Sequence, residues 1–253
     1  NGFFIPISTP FALTAEADDI DGDVLTYSWE QYDLDFNTSD IGAPVGNEPT
    51  FRSQRPTTSP TRTFPDIRTI LNNRSDPAEV LPTYSRDLTF RCTVRDNNEA
   101  AGGVAWDEVA FKADETAGPF RVTSFNGVSI ELEAGSYQEV TWDVANTDNN
   151  RVNCHRVNIR LSTDGGLTYP IILLEQTAND GSAFVTIPNE LSNNARIRVE
   201  AANSIFFDIT NRNFRIIEAA EAGFAVQVSP FYQEVCLPNT IAVDINSSSL
   251  LGF

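Results

Sequence analysis

The fold class of this chain is decided by the stretch Asp87-Leu88-Thr89-Phe90-Arg91-Cys92-Thr93-Val94-Arg95. Its side chains alternate between apolar and polar, which is the period of a β-strand with one buried face and one wet face. The same alternation recurs in residues 140–144, 157–162 and 196–200, whereas helical periodicity is nearly absent. The sequence therefore predicts an all-β protein of antiparallel sheets packed as sandwiches.

Turn and linker residues divide the 253 residues into three segments. Residues 1–116 predict a β-sandwich with an irregular insert at 36–84, rich in Pro, Ser, Thr and Asn, interpreted as a surface loop laid over one sheet. Residues 117–218 hold about seven short strands, enough for one Ig-like sandwich. Residues 219–253 are too few for a sandwich and predict the start of a third, incomplete β domain. The expected architecture is tandem Ig-like β-sandwich domains.

Charge and hydropathy exclude two classes of partner. The formal net charge is -18, from 35 acidic and 17 basic side chains. Such a chain repels phosphate groups, so nucleic acid and anionic lipid are poor partners. No apolar run approaches the length that spans a bilayer, so no membrane insertion is predicted. The chain lacks Met and a signal peptide, and we expect it to be an internal piece of a longer polypeptide.

The sharpest local motif is an acidic turn that contains Asp19, Asp21, Gly22 and Asp23 between two predicted strands. Carboxylates this close together repel one another unless a cation neutralises them, and Ca²⁺ prefers hard oxygen ligands. Asp96, at the end of a later strand, is expected at the same end of the sandwich. These four Asp are the predicted calcium ligands. The alternative is a solvated turn, because turns favour Asp and Gly in any case.

The residues for nucleophilic catalysis are scarce. The one histidine, His155, follows Cys154, but neighbouring strand residues point to opposite faces. A zinc-hydrolase helix needs a second His, which the chain lacks. Cys92, Cys154 and Cys236 are far apart and odd in number, so they predict buried thiols or one pairing outside this chain. Residues 162–169 resemble the Asp-box hairpin of sialidases, which is a structural turn. The sequence predicts no catalytic residue.

The three tryptophans offer a choice between core and binding site. Trp29, Trp106 and Trp142 each lie in a predicted strand, where a Trp is typical of a sandwich core. The alternative is an exposed aromatic platform for sugar. Burial of all three would favour a structural role over glycan binding.

Five stretches carry a resemblance to a known family: residues 5–15, 21–31, 56–65, 81–91 and 140–147. They resemble the region that follows the catalytic domain in secreted reprolysin-like zinc metallopeptidases of Bacteroidota. The resemblance covers essentially the whole chain. It implies export by the type IX secretion machinery, a location outside the cell or on its outer surface, and an upstream peptidase domain in the same chain. No catalytic residue carries over, because the zinc-binding helix has no counterpart here.

The resemblance has two further implications. Some relatives carry Cys at the position of Ser28, facing that of Cys92, so here the inter-sheet disulfide is absent and Cys92 is expected as a free buried thiol. The acidic turn also resembles the calcium-loaded turns of cadherin-like and PKD-like domains. The expected function is a non-catalytic structural or interaction region accessory to the peptidase. The alternatives are an adhesin module that binds glycan or a surface protein, and a component of a surface filament.

Overall fold

The computed structural model describes residues 2–35, 40–99, 101–229, 240 and 242–251. The fold class is confirmed: apart from one five-residue helix, the described elements are strands, and they pack as sandwiches. The chain divides into two compact units. Unit 1 comprises Asn1–Pro119 and Asn149–Asn153, and unit 2 comprises Phe120–Asp148 and Cys154–Phe253. No described helix has the length and apolar character needed to cross a bilayer.

Unit 1 is a sandwich of a four-stranded and a two-stranded sheet. The larger sheet has the order β1-β6-β5-β3, in which β1 runs parallel to β6 and the other pairs are antiparallel. The smaller sheet pairs β2 with β4. The elements are β1 (Phe4–Pro6), β2 (Phe11–Thr14), β3 (Thr26–Gln31), β4 (Thr61–Phe64), α1 (Ile67–Leu71), β5 (Arg86–Arg95) and β6 (Val104–Asp114).

The alternating stretch from Asp87 to Arg95 lies in β5. Leu88, Phe90 and Cys92 are buried, and the residues between them are half-buried or exposed. The core of unit 1 is a cluster of buried rings in mutual contact: Phe11, Phe51, Phe64, Phe90 and Phe111.

The predicted insert at 36–84 requires a correction. It contains β4, which is a strand of the sandwich, and it supplies Phe51 and Phe64 to the core. It also contains α1, whose N-cap Asp66 accepts a hydrogen bond from the Arg68 amide at 2.9 Å. A four-residue strand between prolines is too short to show a period of two, so the sequence pattern hides it. Residues 36–39 lie outside the described part.

Unit 2 is a second sandwich, built from a larger and a smaller sheet. The larger sheet has the order β11-β10-β13-β15-β8, with β14 also paired to β13, and the smaller one has the order β12-β9-β7. The elements are β7 (Arg121–Val122), β8 (Glu131–Glu133), β9 (Tyr137–Asp143), β10 (Arg156–Ser162), β11 (Ile171–Ala178), β12 (Ser182–Thr186), β13 (Ser192–Ala201), β14 (Phe207–Ile209) and β15 (Phe214–Ile217).

The segment predicted as a third domain forms a two-stranded ribbon. Strands β16 (Gly223–Ser229) and β17 (Asp244–Leu250) pair antiparallel. The ribbon belongs to unit 2. The Asn189 side chain of the sandwich donates a hydrogen bond to the Ser249 carbonyl of the ribbon at 2.8 Å. Cys236 lies outside the described residues.

Candidate binding surface

The tryptophans separate into two buried side chains and one exposed side chain. Trp29 and Trp142 are 8% and 4% exposed, and their indole N–H groups donate to the Pro60 carbonyl and the Asn179 side chain. Trp106 is 59% exposed. The core interpretation therefore holds for the first two and is wrong for Trp106. Residues 104–108 are exposed on both faces of β6, so alternation could not place this indole.

The side chain of Arg91 stacks on the exposed indole of Trp106. The Arg91 guanidinium carbon lies 4.1 Å from the ring centroid of Trp106 and 3.8 Å from that of Tyr32. Glu108, the register partner of Arg91 on β6, accepts from Arg91 Nε at 2.9 Å and from Nη2 at 2.6 Å. These hydrogen bonds raise the pKa of Arg91 above its ordinary value. The stack is a cation between two aromatic rings, and the carboxylate fixes the orientation of its guanidinium plane.

We call the outward side chains of β5 and β6 around this stack, together with Tyr32 directly after β3, the ladder face: Tyr32, Arg91, Thr93, Trp106 and Glu108. Within this face Arg91 pairs with Glu108, farther along the sheet Lys112 pairs with Asp87 at 2.8 Å, and Arg95 lies exposed two residues beyond Thr93 on β5. Trp106 is thus an exposed indole on a sheet surface whose neighbouring polar groups are guanidinium, hydroxyl and carboxylate groups. Only the register of β5 with β6 reveals it, because these residues are distant in sequence.

Two of the predicted calcium ligands in the first turn, Asp19 and Asp23, accept hydrogen bonds from protein groups. Asp19 Oδ2 accepts from the amides of Asp21 and Asp23 at 3.0 and 2.9 Å. Asp23 Oδ2 accepts from the Asn98 side chain at 2.8 Å. The turn is therefore closed by hydrogen bonds between its own residues and the neighbouring loop.

Asp96 has the same kind of role. Its Oδ1 accepts from the Asn98 amide at 3.1 Å and its Oδ2 from the Gly103 amide at 2.7 Å. Asn98 thus contacts both Asp96 and Asp23, at one end of the sandwich. Across the described residues, no three or more His, Cys, Asp or Glu side chains form a group that fits a metal ion. The geometry does not supply a ligand set, and calcium binding stays a sequence-based prediction.

The cysteines of the described part are buried thiols. Cys154 is fully buried beside the Arg156 carbonyl, and burial raises its pKa to about 11, which keeps it protonated. Cys92 is free and buried, and burial raises its pKa as well. The relation of Ser28 to Cys92 is corrected. Ser28 pairs with Thr93 on adjacent strands of one sheet, so a bridge there would be within a sheet and not between sheets.

Comparisons with known proteins add little beyond the fold. No family model matches the chain, and no curated protein matches it. The Ig1–Ig2 domains of Dpr2, in complex with DIP-Theta, are 12% identical over 85% of this chain and 94% of that chain, with a TM-score of 0.28.

Two other solved structures are similar. Chicken CNTN1 FN1–FN3 domains are 14% identical over 83% of this chain and 66% of that chain, with a TM-score of 0.25. A chimeric titin Z1Z2 tandem carrying a GRGDS peptide from fibronectin is 13% identical over 87% and 95%, with a TM-score of 0.24. The fold is defined by the strands and sheets of the two units.

Proposed function

We propose that this chain is a non-catalytic interaction module whose first sandwich binds neutral carbohydrate on the ladder face. The observation that supports the proposal is the exposure of Trp106 on top of a braced arginine. A sugar ring presents C–H groups on its face and hydroxyls around its edge. The C–H face suits an indole, and the hydroxyls suit the Glu108 carboxylate and the Thr93 hydroxyl. Aromatic side chains with a polar rim are typical of such sites.

The stack is suited to this role because it is organised before a ligand arrives. Arg91 is held by two rings and by Glu108, so Trp106 loses little rotamer freedom on binding, which lowers the entropic cost. Charge narrows the ligand class. A chain of net charge -18 repels acidic polysaccharides, whereas neutral sugars have only hydroxyl donors and acceptors to offer.

The test uses the difference among the three tryptophans. Trp106 is the exposed one, so acrylamide should quench mainly its fluorescence, and a stacked sugar should protect it. We expect protection by at least one polymer in a panel of soluble β-glucan, xylan, mannan and galactan. Trp106→Ala should abolish retention of the chain in gels containing that polymer. Tyr137→Ala, which removes an exposed aromatic of unit 2, is the matched control and should leave retention unchanged.

Two results contradict the proposal. One is retention that survives Trp106→Ala, and the other is a panel in which no polymer protects Trp106. Protection of Trp106 by a purified surface protein and by no sugar would favour the adhesin alternative, in which the ladder face binds protein.

We also propose, on the resemblance of residues 5–15, 21–31, 56–65, 81–91 and 140–147, that the chain is an accessory region of a secreted metallopeptidase. Export by the type IX machinery and a place outside the cell or on its outer surface belong to the same proposal. Peptide mapping of the parent protein by mass spectrometry tests it. An upstream domain with a zinc-binding HExxH helix is expected. Flanks made only of further β-sandwiches would instead support an adhesin or a filament.

A further inference from the structure

Unit 2 contains an apolar cleft of about 300 Å³. This volume is at the lower end of the range of pockets that hold ligands, about 300–1,000 Å³. Strands of the sandwich line one side and the β16–β17 ribbon lines the other. The sandwich contributes Tyr137, Leu173, Leu174, Phe184, Val185, Thr186 and Pro188.

The mouth of the cleft exposes aromatic surface. The rings of Tyr137 and Phe184 stack with centroids 5.0 Å apart and planes 13° apart. Tyr137 is 68% exposed and Phe184 is 51% exposed, whereas Leu173 and Val185, which also line the cleft, are buried. Exposed apolar surface next to a cavity is typical of an interaction site.

One wall of the cleft is a strand with an unpaired edge. Among the described strands, β12 pairs with β9 and with no other. The Trp142 amide donates to the Gly181 carbonyl and the Ile187 amide to the Ser136 carbonyl, each at 2.9 Å. Because antiparallel hydrogen bonds alternate along a strand, the amides of Phe184 and Thr186 point away from β9, toward the free edge.

Within β12 this edge lacks the usual protection against strand addition. Natural edge strands carry Lys, Pro or a bulge, and β12 reads Ser-Ala-Phe-Val-Thr with an unbroken register against β9; Pro188 follows only after the strand has ended. The edge of β11, by comparison, belongs to a strand with register shifts against β10 and carries Glu175. Of these two edges, that of β12 is the better suited to accept another strand.

Charge indicates the chemistry of the partner. The five strands that line the cleft, β9, β11, β12, β16 and β17, contain no Lys or Arg. They contain four carboxylates outside the lining itself, Glu139, Asp143, Glu175 and Asp244, of which Asp143 is the register partner of Arg121 on β7. Glu139 is the register partner of Phe184, at the mouth. A basic partner matches this field, and an acidic one is repelled.

We propose that the cleft binds an extended polypeptide segment that adds to the free edge of β12 as a further strand. Alternate apolar side chains of the segment enter the cleft, and Lys or Arg between them face the carboxylates. In this mode of recognition the main chain supplies affinity, and pockets for every second side chain supply specificity. The site is separate from the ladder face and does not depend on the proposal for carbohydrate.

The probe is a fluorescein-labelled peptide, Lys-Val-Lys-Val-Lys-Val-Lys, titrated with the whole chain and followed by fluorescence anisotropy. Two control peptides separate the two parts of the proposal. One replaces the central Val by Pro and so loses main-chain pairing, and the other replaces each Lys by Glu. We expect each control to bind at least tenfold more weakly than the probe. Equal binding of the Val and Pro peptides overturns strand addition.

Variants of the protein test the same edge. Thr186→Pro removes one outward amide while keeping the hydrogen bonds to β9, a place where edge strands tolerate Pro. Phe184→Ser removes the aromatic mouth at an exposed position without adding a charge, so folding does not depend on it. Each variant should weaken binding of the probe at least tenfold. Leu191→Ser, which changes an equally exposed apolar side chain outside the lining, should leave binding unchanged.

Two outcomes overturn the proposal. The first is unchanged probe binding by folded Phe184→Ser. The second is no probe binding together with a concentration-dependent dimer, seen by sedimentation, that Phe184→Ser dissolves. In that second case the occupant of the cleft is another copy of this chain.

Discussion

The two units build one sandwich plan from different cores. In both, an early short strand runs parallel to the last strand of the sandwich, β1 beside β6 and β8 beside β15. Unit 1 fills its interior with five phenylalanines in mutual contact, whereas the central strands of unit 2 bury aliphatic side chains, among them Val157, Ile159, Leu161, Ile197 and Val199. The plan is therefore set by the alternation and the strand order, not by a particular core residue.

The units also resemble each other in one polar feature. Each has a buried amide side chain that joins its sheets to a loop. In unit 1, Gln31 Oε1 accepts from the amides of Thr50 and Phe51 at 2.7 and 3.0 Å. In unit 2, Asn179 accepts from the Trp142 indole at 2.8 Å and donates to the Cys154 carbonyl at 2.8 Å. Buried polar atoms must be paired, so irregular segments in both units are fixed by a single side chain.

The largest loss of stability is expected from a substitution in the core of unit 1. Phe90 contacts four other rings, so Phe90→Ala should lower the free energy of unfolding by about 3–5 kcal/mol, the range for a buried Phe. Ile159→Ala in unit 2 should cost about 2–5 kcal/mol. Hydrogen exchange, read over peptides of each unit, measures both. A cost below about 2 kcal/mol for Phe90→Ala would show that the ring cluster is not the main support of unit 1.

The buried amides should give a smaller effect. Gln31→Leu leaves two backbone amides without an acceptor, and Asn179→Leu leaves the Trp142 indole N–H and the Cys154 carbonyl unpaired. Each orphaned group costs about 1–3 kcal/mol, and we expect a loss of about 2–4 kcal/mol for each variant. Urea unfolding measures it. The exposed Asn150→Leu is the control and should change stability by less than about 0.5 kcal/mol. A loss that small for either buried variant would show that water replaces the missing partner.

The comparison also shows why the sequence predicts some features and hides others. The strand β5 is ten residues long, and its alternation reports burial residue by residue. The strand β4 has only four residues, and its place in the core follows from pairing with β2, fifty residues earlier in the chain. Short strands that depend on distant partners carry no local pattern of their own.

The ladder face is hidden from the sequence for a related reason. Five consecutive residues around Trp106 are exposed, so a strand that contains Trp is no guarantee of a core Trp. The stack needs Tyr32, Arg91 and Trp106 from three segments to meet, which only the register defines. The acidic turn illustrates what sequence alone leaves out. Sequence brings Asp19, Asp21 and Asp23 together, but it does not show that the backbone amides of Asp21 and Asp23 donate to Asp19 Oδ2.

The smallest losses of stability are expected from variants of two turns, one around Asp19 in unit 1 and one around Asp164 in unit 2. Asp164 accepts from the amides of Leu167 and Thr168 and from two hydroxyls, in a turn where Gly165 has a φ of 85°. Burial opposes its ionisation, but the hydrogen bonds, those from Ser162 and Thr168 first, outweigh burial and lower its pKa to about 2. Asp164→Ala should cost about 1–2 kcal/mol at pH 7. Asp19→Ala removes two amide bonds in an exposed turn and should cost about 1 kcal/mol or less.

The pH dependence follows from the lowered pKa of Asp164. An unfolded Asp titrates near 3.9, so the stabilisation by Asp164 is complete above about pH 4 and is lost as the pH falls through about 2. Thermal melts between pH 7 and 2.5 should show the Asp164→Ala difference shrinking over the lower part of that range. A larger loss for Asp19→Ala than for Asp164→Ala, growing in millimolar Ca²⁺, would contradict this order. It would instead favour the calcium prediction for Asp19, Asp21, Asp23 and Asp96, since two turn hydrogen bonds alone cannot respond to the cation.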